Sequence, residues 1–187
     1  MHRLVGSLAL LFNLFAVTVF AGTPAGSAPA AAAAPAAAAA LDGKAALERL
    51  KALAGTWEGT TAGPEPHPAK SIFSVTAGGT AVVEKMFPGT PHEMVTVYFL
   101  EGAALRVTHY CSAGNQPHMR FDARASTADV LRFAFDGGTG FDPKKDLHVH
   151  SARLVFSADG ALTEEWEFHN EGGKNGTHAM TLTRAAS

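Results

Sequence analysis

Short glycine-containing links between apolar, alternating segments recur along most of this chain and constrain its fold more than any other feature. Such links stand at Gly78-Gly79, Glu101-Gly102, Asp159-Gly160 and Asn175-Gly176. Links of this kind favour tight β-hairpins, because their backbone conformation matches the twist of the paired strands. Together with the segments GTWEGTT, HMRFDAR and VLRFAFD, the linked runs predict roughly ten strands in an antiparallel meander.

A meander of this size has two unpaired edge strands unless the first strand also pairs with the last. Closure of the sheet removes both edges. The sequence therefore predicts an all-β fold, a single antiparallel up-and-down β-barrel of roughly 8–10 strands. One short helix precedes it, because Leu47, Leu50 and Leu53 recur at helical spacing, Asp42 can cap the start and Gly55 can end it.

The N-terminal part of the chain differs in composition from the rest. Arg3 followed by an apolar run over 4–20 predicts a signal peptide at residues 1–21, rather than a membrane anchor, for which the run is short. Residues 22–46 are assigned to an Ala- and Pro-rich linker and residues 47–185 to the barrel. The protein is therefore expected to be exported by a bacterium, to the periplasm or to the medium.

Charge and cysteine content exclude several classes of function. The formal net charge is −2 and the charges are dispersed, which predicts no nucleic-acid partner and no stable membrane insertion after signal cleavage. Cys111 is the only cysteine, so no internal disulfide can form. His109 lies two residues before Cys111, with Cβ atoms roughly 6–7 Å apart on a strand, which favours a buried thiol over a catalytic one.

Alternation along the strands indicates which polar side chains face the lumen of the barrel. His109 shares a face with Leu105 and Val107, and Glu164 shares one with Trp166. The same rule points three further histidines inward, and the turn after His109 lies at a barrel mouth. The candidate ligand-binding residues are therefore His109, His148, His150, Glu164, His178, Tyr98, Asn115 and Gln116.

The inward histidines also suit metal chemistry. A pair at i and i+2 with a third ligand from another strand is workable geometry for zinc or copper, so His148, His150 and His178 are candidate ligands of a transition metal. A single lumen histidine could instead bind haem iron. The alternative for each histidine is a core imidazole hydrogen-bonded to a neighbour, and Asn115 and Gln116 also fit an ordinary turn.

Both ends of the barrel segment resemble a known family. LKALAGTWEG at 50–59 is similar to the opening of the calycin group, which includes lipocalins, fatty-acid-binding proteins and nitrobindins, and the final MTLTR resembles the late strand whose arginine lies across the tryptophan. The resemblance implies that Gly55, Trp57 and Arg184 are structural residues, with Trp57 and Arg184 closing one end. The middle of the chain also resembles secreted bacterial proteins with lipocalin-like domains, a resemblance that brings no function with it.

One resemblance concerns a cofactor. Nitrobindins hold haem through a histidine on the last strand, and THAMTLTR places His178 similarly, which implies His178 as a haem ligand. Where nitrobindins continue their first strand with a Tyr-Pro-Thr segment, this chain has TTAGPEPHP.

The sequence therefore predicts an exported barrel that binds a small, largely apolar ligand in its lumen. Three alternatives stay open. The first is a haem- or metal-binding barrel, which in the nitrobindin case would handle nitric oxide or peroxynitrite. The second is an enzyme that uses a lumen histidine with Glu164 as general acid and base. The third is a barrel filled by its own side chains that acts as a structural or interaction module.

Overall fold

The computed structural model describes residues 41–186, so the predicted signal peptide and residues 22–40 of the predicted linker lie outside the described residues. One helix, α1 (Gly43–Lys51), precedes ten strands. The strands are β1 (Gly55–Thr61), β2 (Pro68–Thr76), β3 (Ala81–Met86), β4 (Met94–Glu101), β5 (Ala104–Tyr110), β6 (Gln116–Phe121), β7 (Val130–Thr139), β8 (His148–Phe156), β9 (Leu162–Asn170) and β10 (Gly173–Arg184).

The ten strands form one closed antiparallel barrel in which each strand pairs with its neighbours along the chain. Closure is made by β1 and β10, where Trp57 lies opposite Arg184 and Thr61 lies opposite Met180. The prediction of an up-and-down barrel with a short N-terminal helix is confirmed, with ten strands. Because no strand is left unpaired, the sheet has no exposed edge.

Helix α1 covers one end of the barrel, which we call the closed end. The side chain of Asp42 accepts a hydrogen bond of 2.7 Å from the backbone N–H of Ala45 and so caps the first turn. Ala46, Leu47 and Leu50 are buried on the face that meets the barrel. The helix begins inside the range that composition assigns to the linker, and within residues 41–186 no helix is long and apolar enough to cross a membrane.

Two side chains tie the end of α1 to the seam between β1 and β10. The indole Nε1 of Trp57 donates to the carbonyl of Leu53 at 2.7 Å. The guanidinium of Arg184 donates to the carbonyls of Ala52 and Ala54 at 2.9 and 2.7 Å, and its Cζ lies 4.7 Å from the centre of the Trp57 ring. Arg184 therefore satisfies carbonyls at the C-terminal end of the helix while it covers the tryptophan.

The same seam requires a glycine at position 59. A Cβ at Gly59 would lie 1.9 Å from the backbone carbonyl oxygen of Thr181 on β10. We expect Gly59→Ala to push the two strands apart and to lower the free energy of unfolding by about 1–3 kcal/mol, as overpacking does elsewhere. Urea denaturation measures this change. Gly176→Ala on β10 is the matched control, since a Cβ there meets nothing within 4 Å, and equal midpoints for the two variants would contradict the expectation.

Candidate functional site

The predicted histidines lie toward the end of the barrel opposite α1, which we call the open end. Here β3 ends at Met86 and β4 begins at Met94, directly opposite each other in the register. β8 begins at this end with His148, which pairs with His169 near the end of β9. The register therefore brings the start of β8 and the end of β9 together at the rim of the barrel.

An apolar cavity of about 20 Å³, the mouth cavity, opens at this end between β10 and the β3–β5 strands. A volume of this size holds about one water molecule. Its lining is dominated by thioether and aromatic side chains, with two imidazoles: Met86, Met94, Met180, Trp166, Phe168, His109 and His178. The cavity borders solvent through half-buried side chains at its rim, among them Phe87, Met94 and Phe168.

His109 forms the buried floor of the mouth cavity, with only 1 % of its surface exposed. Its Nδ1 lies 2.9 Å from Thr96 Oγ1, and its ring centre lies 4.9 Å from that of Trp166. Its Nε2 has no hydrogen-bond partner among the described residues. Burial lowers the pKa of His109 to about 4, so the imidazole is neutral at ordinary pH.

His178 also lines the mouth cavity and lies at its rim. It is exposed, and its ring meets Phe168 edge-on with centres 6.3 Å apart. On β10 it lies opposite Trp166 of β9. The structure therefore brings together two of the four predicted lumen histidines, one buried and one accessible, around one apolar cavity.

The other two predicted histidines form a separate group with His169, which we call the histidine cluster (His148, His150 and His169). His148 Nδ1 lies 2.8 Å from the carbonyl of Asp146, and its Nε2 lies 3.2 Å from His150 Nδ1. The rings of His150 and His169 are stacked with centres 3.7 Å apart. Burial first, and then the charges of His169 and His148, lower the pKa of His150.

A β-bulge separates the histidine cluster from the mouth cavity. The pairing of β8 with β9 shifts register between Val149 and Ser151, which leaves His150 as the extra residue. In consequence Val149, and neither His148 nor His150, lines the mouth cavity. The alternation that predicts one shared face for His148, His150 and Ala152 is interrupted by this bulge.

The structure divides the predicted metal ligands between two places. His178 lies on the mouth cavity, whereas His148 and His150 lie in the histidine cluster. Among residues 41–186 no group of three or more His, Cys, Asp or Glu side chains is arranged to hold a metal ion. In the cluster, His169 Nε2 instead lies 2.8 Å from Glu167 Oε1, and a hydrogen bond from Lys174 lowers the pKa of Glu167.

Glu164 and Tyr98 occupy the barrel core, where they meet a carboxylate that the sequence analysis missed. Glu84 is fully buried and accepts hydrogen bonds from Tyr98 Oη at 2.8 Å and from Ser71 Oγ at 3.0 Å. Glu164 is also fully buried and accepts a bond of 3.3 Å from Trp166 Nε1. In AVVEKMF, Glu84 shares a face with the apolar residues Val82 and Met86, and this alternation identifies Glu84 as an inward-facing residue.

We expect the two carboxyl groups, which we call the carboxyl pair, to share a proton. Burial and the neighbouring charge of Glu84 raise the pKa of Glu164 well above its ordinary value, and burial raises the pKa of Glu84 despite its hydrogen bonds. Glu164 Oε1 receives no bond from an N–H or O–H donor among the described residues. A protonated Glu164 that donates to the Glu84 carboxylate accounts for both facts.

The remaining candidates, Asn115 and Gln116, hold the loops of the open end together. Asn115 is buried and its Nδ2 donates to the carbonyl of Leu147 at 2.8 Å. The side-chain oxygen of Gln116 accepts a bond of 3.0 Å from Thr139 Oγ1. Cys111, half-buried in the same turn, does not line the mouth cavity. These contacts join the turn after β5 to the segments around β7 and β8.

Comparison with known proteins supports the fold. No protein-family model matches the chain, and no curated protein matches it. Among solved structures, the chain is similar to Rv2717c from M. tuberculosis, with 17 % sequence identity and a TM-score of 0.50. The similarity covers 75 % of this chain and 98 % of that one. At this level of identity the similarity shows a common barrel fold and nothing further.

Proposed function

We propose that this protein is an exported β-barrel that binds a small, largely apolar ligand in the mouth cavity. The observation that carries the proposal is the unpartnered Nε2 of His109, buried beside an apolar cavity. Buried polar atoms almost always have a hydrogen-bond partner. A largely apolar pocket with one placed polar group is also the usual composition of a small-molecule site.

The filled interior of the barrel restricts a ligand to the mouth cavity. Below His109 and Trp166 the interior is filled by the carboxyl pair and by Tyr98, whose ring lies 5.7 Å from that of Phe133. A ligand larger than one water must therefore displace the half-buried rim side chains Phe87, Met94 and Phe168. A short molecule that enters from the rim fits this arrangement, and a long acyl chain does not.

The neutral state of His109 limits which polar group the ligand can carry. His109 is neutral because burial lowers its pKa to about 4, so it offers no counter-charge to a carboxylate. Burial of an unpaired charge is costly, whereas a neutral hydroxyl group needs only one hydrogen bond. The proposed ligand is therefore a short apolar molecule with one neutral oxygen.

Calycin membership and export are part of the same proposal. They are supported by the Gly-x-Trp opening of β1, by Arg184 lying over Trp57, and by the composition of residues 1–21. Two alternatives have less support. No histidine among the described residues hydrogen-bonds to Glu164, as an acid–base pair would require, and in a filled barrel only a water molecule could partner His109 Nε2.

Haem binding is a second candidate, because the exposed His178 stands at the rim of the mouth cavity on β10, where the nitrobindin resemblance puts a haem ligand. The fit is poor, since a porphyrin is far larger than a cavity of about 20 Å³. We therefore rank haem below a small ligand.

Cyclohexanol and cyclohexane test the proposed function as a matched pair. Trp57→Phe leaves Trp166 as the only tryptophan, so its emission reports on the mouth cavity. In this background we expect both probes to change the emission, and cyclohexanol to bind roughly three- to tenfold more tightly because its hydroxyl reaches His109. His109→Leu is expected to remove this preference while cyclohexane still binds.

Two controls make the result specific. His150→Leu, in the histidine cluster, should leave both affinities unchanged. Haemin added to the same protein should give no Soret band that depends on His178. Failure of both cyclohexyl probes to perturb Trp166 would refute the proposed function.

A further inference from the structure

We infer that the mouth cavity is a binding site for a soft monovalent metal ion, Cu(I), with Met86, Met94, Met180 and His109 as its ligands. The inference goes beyond the proposed function, since it concerns the same cavity but a different class of ligand, and the two are tested separately. It differs from the metal site suggested by sequence spacing, because neither His148 nor His150 takes part.

The concentration of methionine around this cavity is the first observation. The chain has five methionines, of which four lie in residues 41–186, and three of those four line the mouth cavity. They come from different strands, since Met86 ends β3, Met94 begins β4 and Met180 lies on β10. Thioether sulfur is a soft ligand that selects Cu(I), and imidazole also suits copper.

Two of these side chains are adjacent in the strand register, and all three line one small cavity. Met86 and Met94 are directly opposite each other, and Met86 and Met180 are 2 % and 3 % exposed. Methionine also serves as a general filler of apolar cores, so clustering alone would not indicate a metal. The fully buried Met119, which lies outside the cavity, is such a filler in this barrel.

His109 supplies the second, independent observation. Thr96 Oγ1 lies 4.0 Å from Met86 Sδ, to which its hydroxyl can donate, and 2.9 Å from His109 Nδ1, from which it can then accept. In that tautomer the unpartnered Nε2 carries a lone pair. Metal-binding histidines typically donate their second N–H to an oxygen in this way, which fixes the ring and the tautomer.

Size and charge select the kind of ion. The cavity of about 20 Å³ accepts a single atom with little movement of its walls. Apart from Thr61 its lining offers sulfur and nitrogen rather than oxygen, which excludes calcium and magnesium. Trp166 contacts His109 and donates to Glu164, so the carboxyl pair lies one layer deeper and offers negative charge to a monovalent cation.

The test is an anaerobic titration of the purified exported protein with Cu(I) in competition with bathocuproine disulfonate. We expect one equivalent to be retained against the chelator. Loss of a supporting partner alone costs a metal site about 10- to 100-fold in affinity, so Met86→Leu and Met180→Leu should each weaken binding by at least about tenfold. Leucine keeps the volume of methionine, and Met119→Leu is the matched control that should bind as the parent does.

Three outcomes would overturn the inference. The first is that the protein retains no Cu(I) against the chelator. The second is that Met86→Leu and Met119→Leu bind Cu(I) with equal affinity. The third is that His148→Ala loses Cu(I) binding whereas the methionine variants keep it. The cyclohexanol titration separates this failure from that of the proposed function. If cyclohexanol binds and Cu(I) does not, the inference fails alone, and if neither binds, both fail.

Discussion

Glu84→Ala is expected to lower the free energy of unfolding at pH 7 by roughly 3–5 kcal/mol, because several buried polar groups lose their partner at about 1–3 kcal/mol each. The substitution leaves Tyr98 Oη and Ser71 Oγ without the acceptor they now use, and it leaves Glu164 without its carboxylate partner. Each buried group that loses its partner adds to the cost. Urea denaturation followed by circular dichroism measures the change.

Glu164→Gln is the matched variant and should cost much less, because a neutral amide replaces a carboxyl that is already neutral in the folded state. The sign of the pH effect follows from the raised pKa of Glu164. The folded chain holds this proton more tightly than the unfolded chain, so the stabilisation is complete below pH 4.5 and declines as pH rises through the folded pKa. The decline is at most about 1.4 kcal/mol per pH unit.

The pH dependence is compared between the parent and Glu164→Gln from pH 4.5 upward, since His109, with its pKa lowered to about 4, contributes alike to both. We expect the stability of the parent, measured relative to that of Glu164→Gln, to fall as pH rises. A Glu164→Gln variant as unstable as Glu84→Ala, or with the same pH slope as the parent, would show that the two carboxyls do not share a proton.

Trp57→Ala is expected to have an effect of similar size, a loss of roughly 3–5 kcal/mol, as for other buried tryptophans. The side chain is 5 % exposed, bonds to the carbonyl of Leu53 and lies under the guanidinium of Arg184. Its removal opens a cavity at the closed end and frees the end of α1. Trp57→Phe retains most of the buried ring and should cost far less.

A double-mutant cycle with Arg184→Met separates the packing of Trp57 from its contact with the guanidinium. We expect a coupling of about 0.5–2 kcal/mol between the two positions, since they touch and donate to neighbouring carbonyls at the end of α1. Additive losses would contradict the account of how the closed end is held. Near-parent stability of Trp57→Ala would contradict it more strongly.

The fold could be predicted because its determinants are local. Glycine-containing links predicted three of the hairpins, alternation predicted the buried faces, and the absence of free edges required closure. The prediction that Asn175-Gly176 is a turn is wrong, because these residues lie at a bulge within β10 and the β9–β10 turn is at Glu171-Gly172. The prediction that Asp42 caps the start of α1 is confirmed, but the range assigned to the linker by composition includes Gly43. Its role depends on close approach to β5, where a Cβ would lie 2.6 Å from the carbonyl oxygen of Ala103, and such a contact leaves no local signal.

The candidate site could be predicted only in part, because some of its features depend on how strands pair rather than on local sequence. Alternation identified His109 as an inward residue, but the bulge at His150 is a property of two paired strands and changes which residues of β8 face the cavity. The grouping of Met86 with Met180 depends on closure between β1 and β10, which brings distant strands around one cavity. Glu84 was within reach of the same alternation rule and was overlooked.

The most direct measurement is a long-range proton–nitrogen NMR spectrum of the histidine imidazoles, recorded before and after addition of cyclohexanol or of one equivalent of Cu(I). If the mouth cavity is the binding site, the Nε2 resonance of His109 shifts with the bound probe, while the resonances of His148, His150 and His169 stay in place. Shifts confined to the histidine cluster, with His109 unchanged, would contradict a ligand site in the mouth cavity.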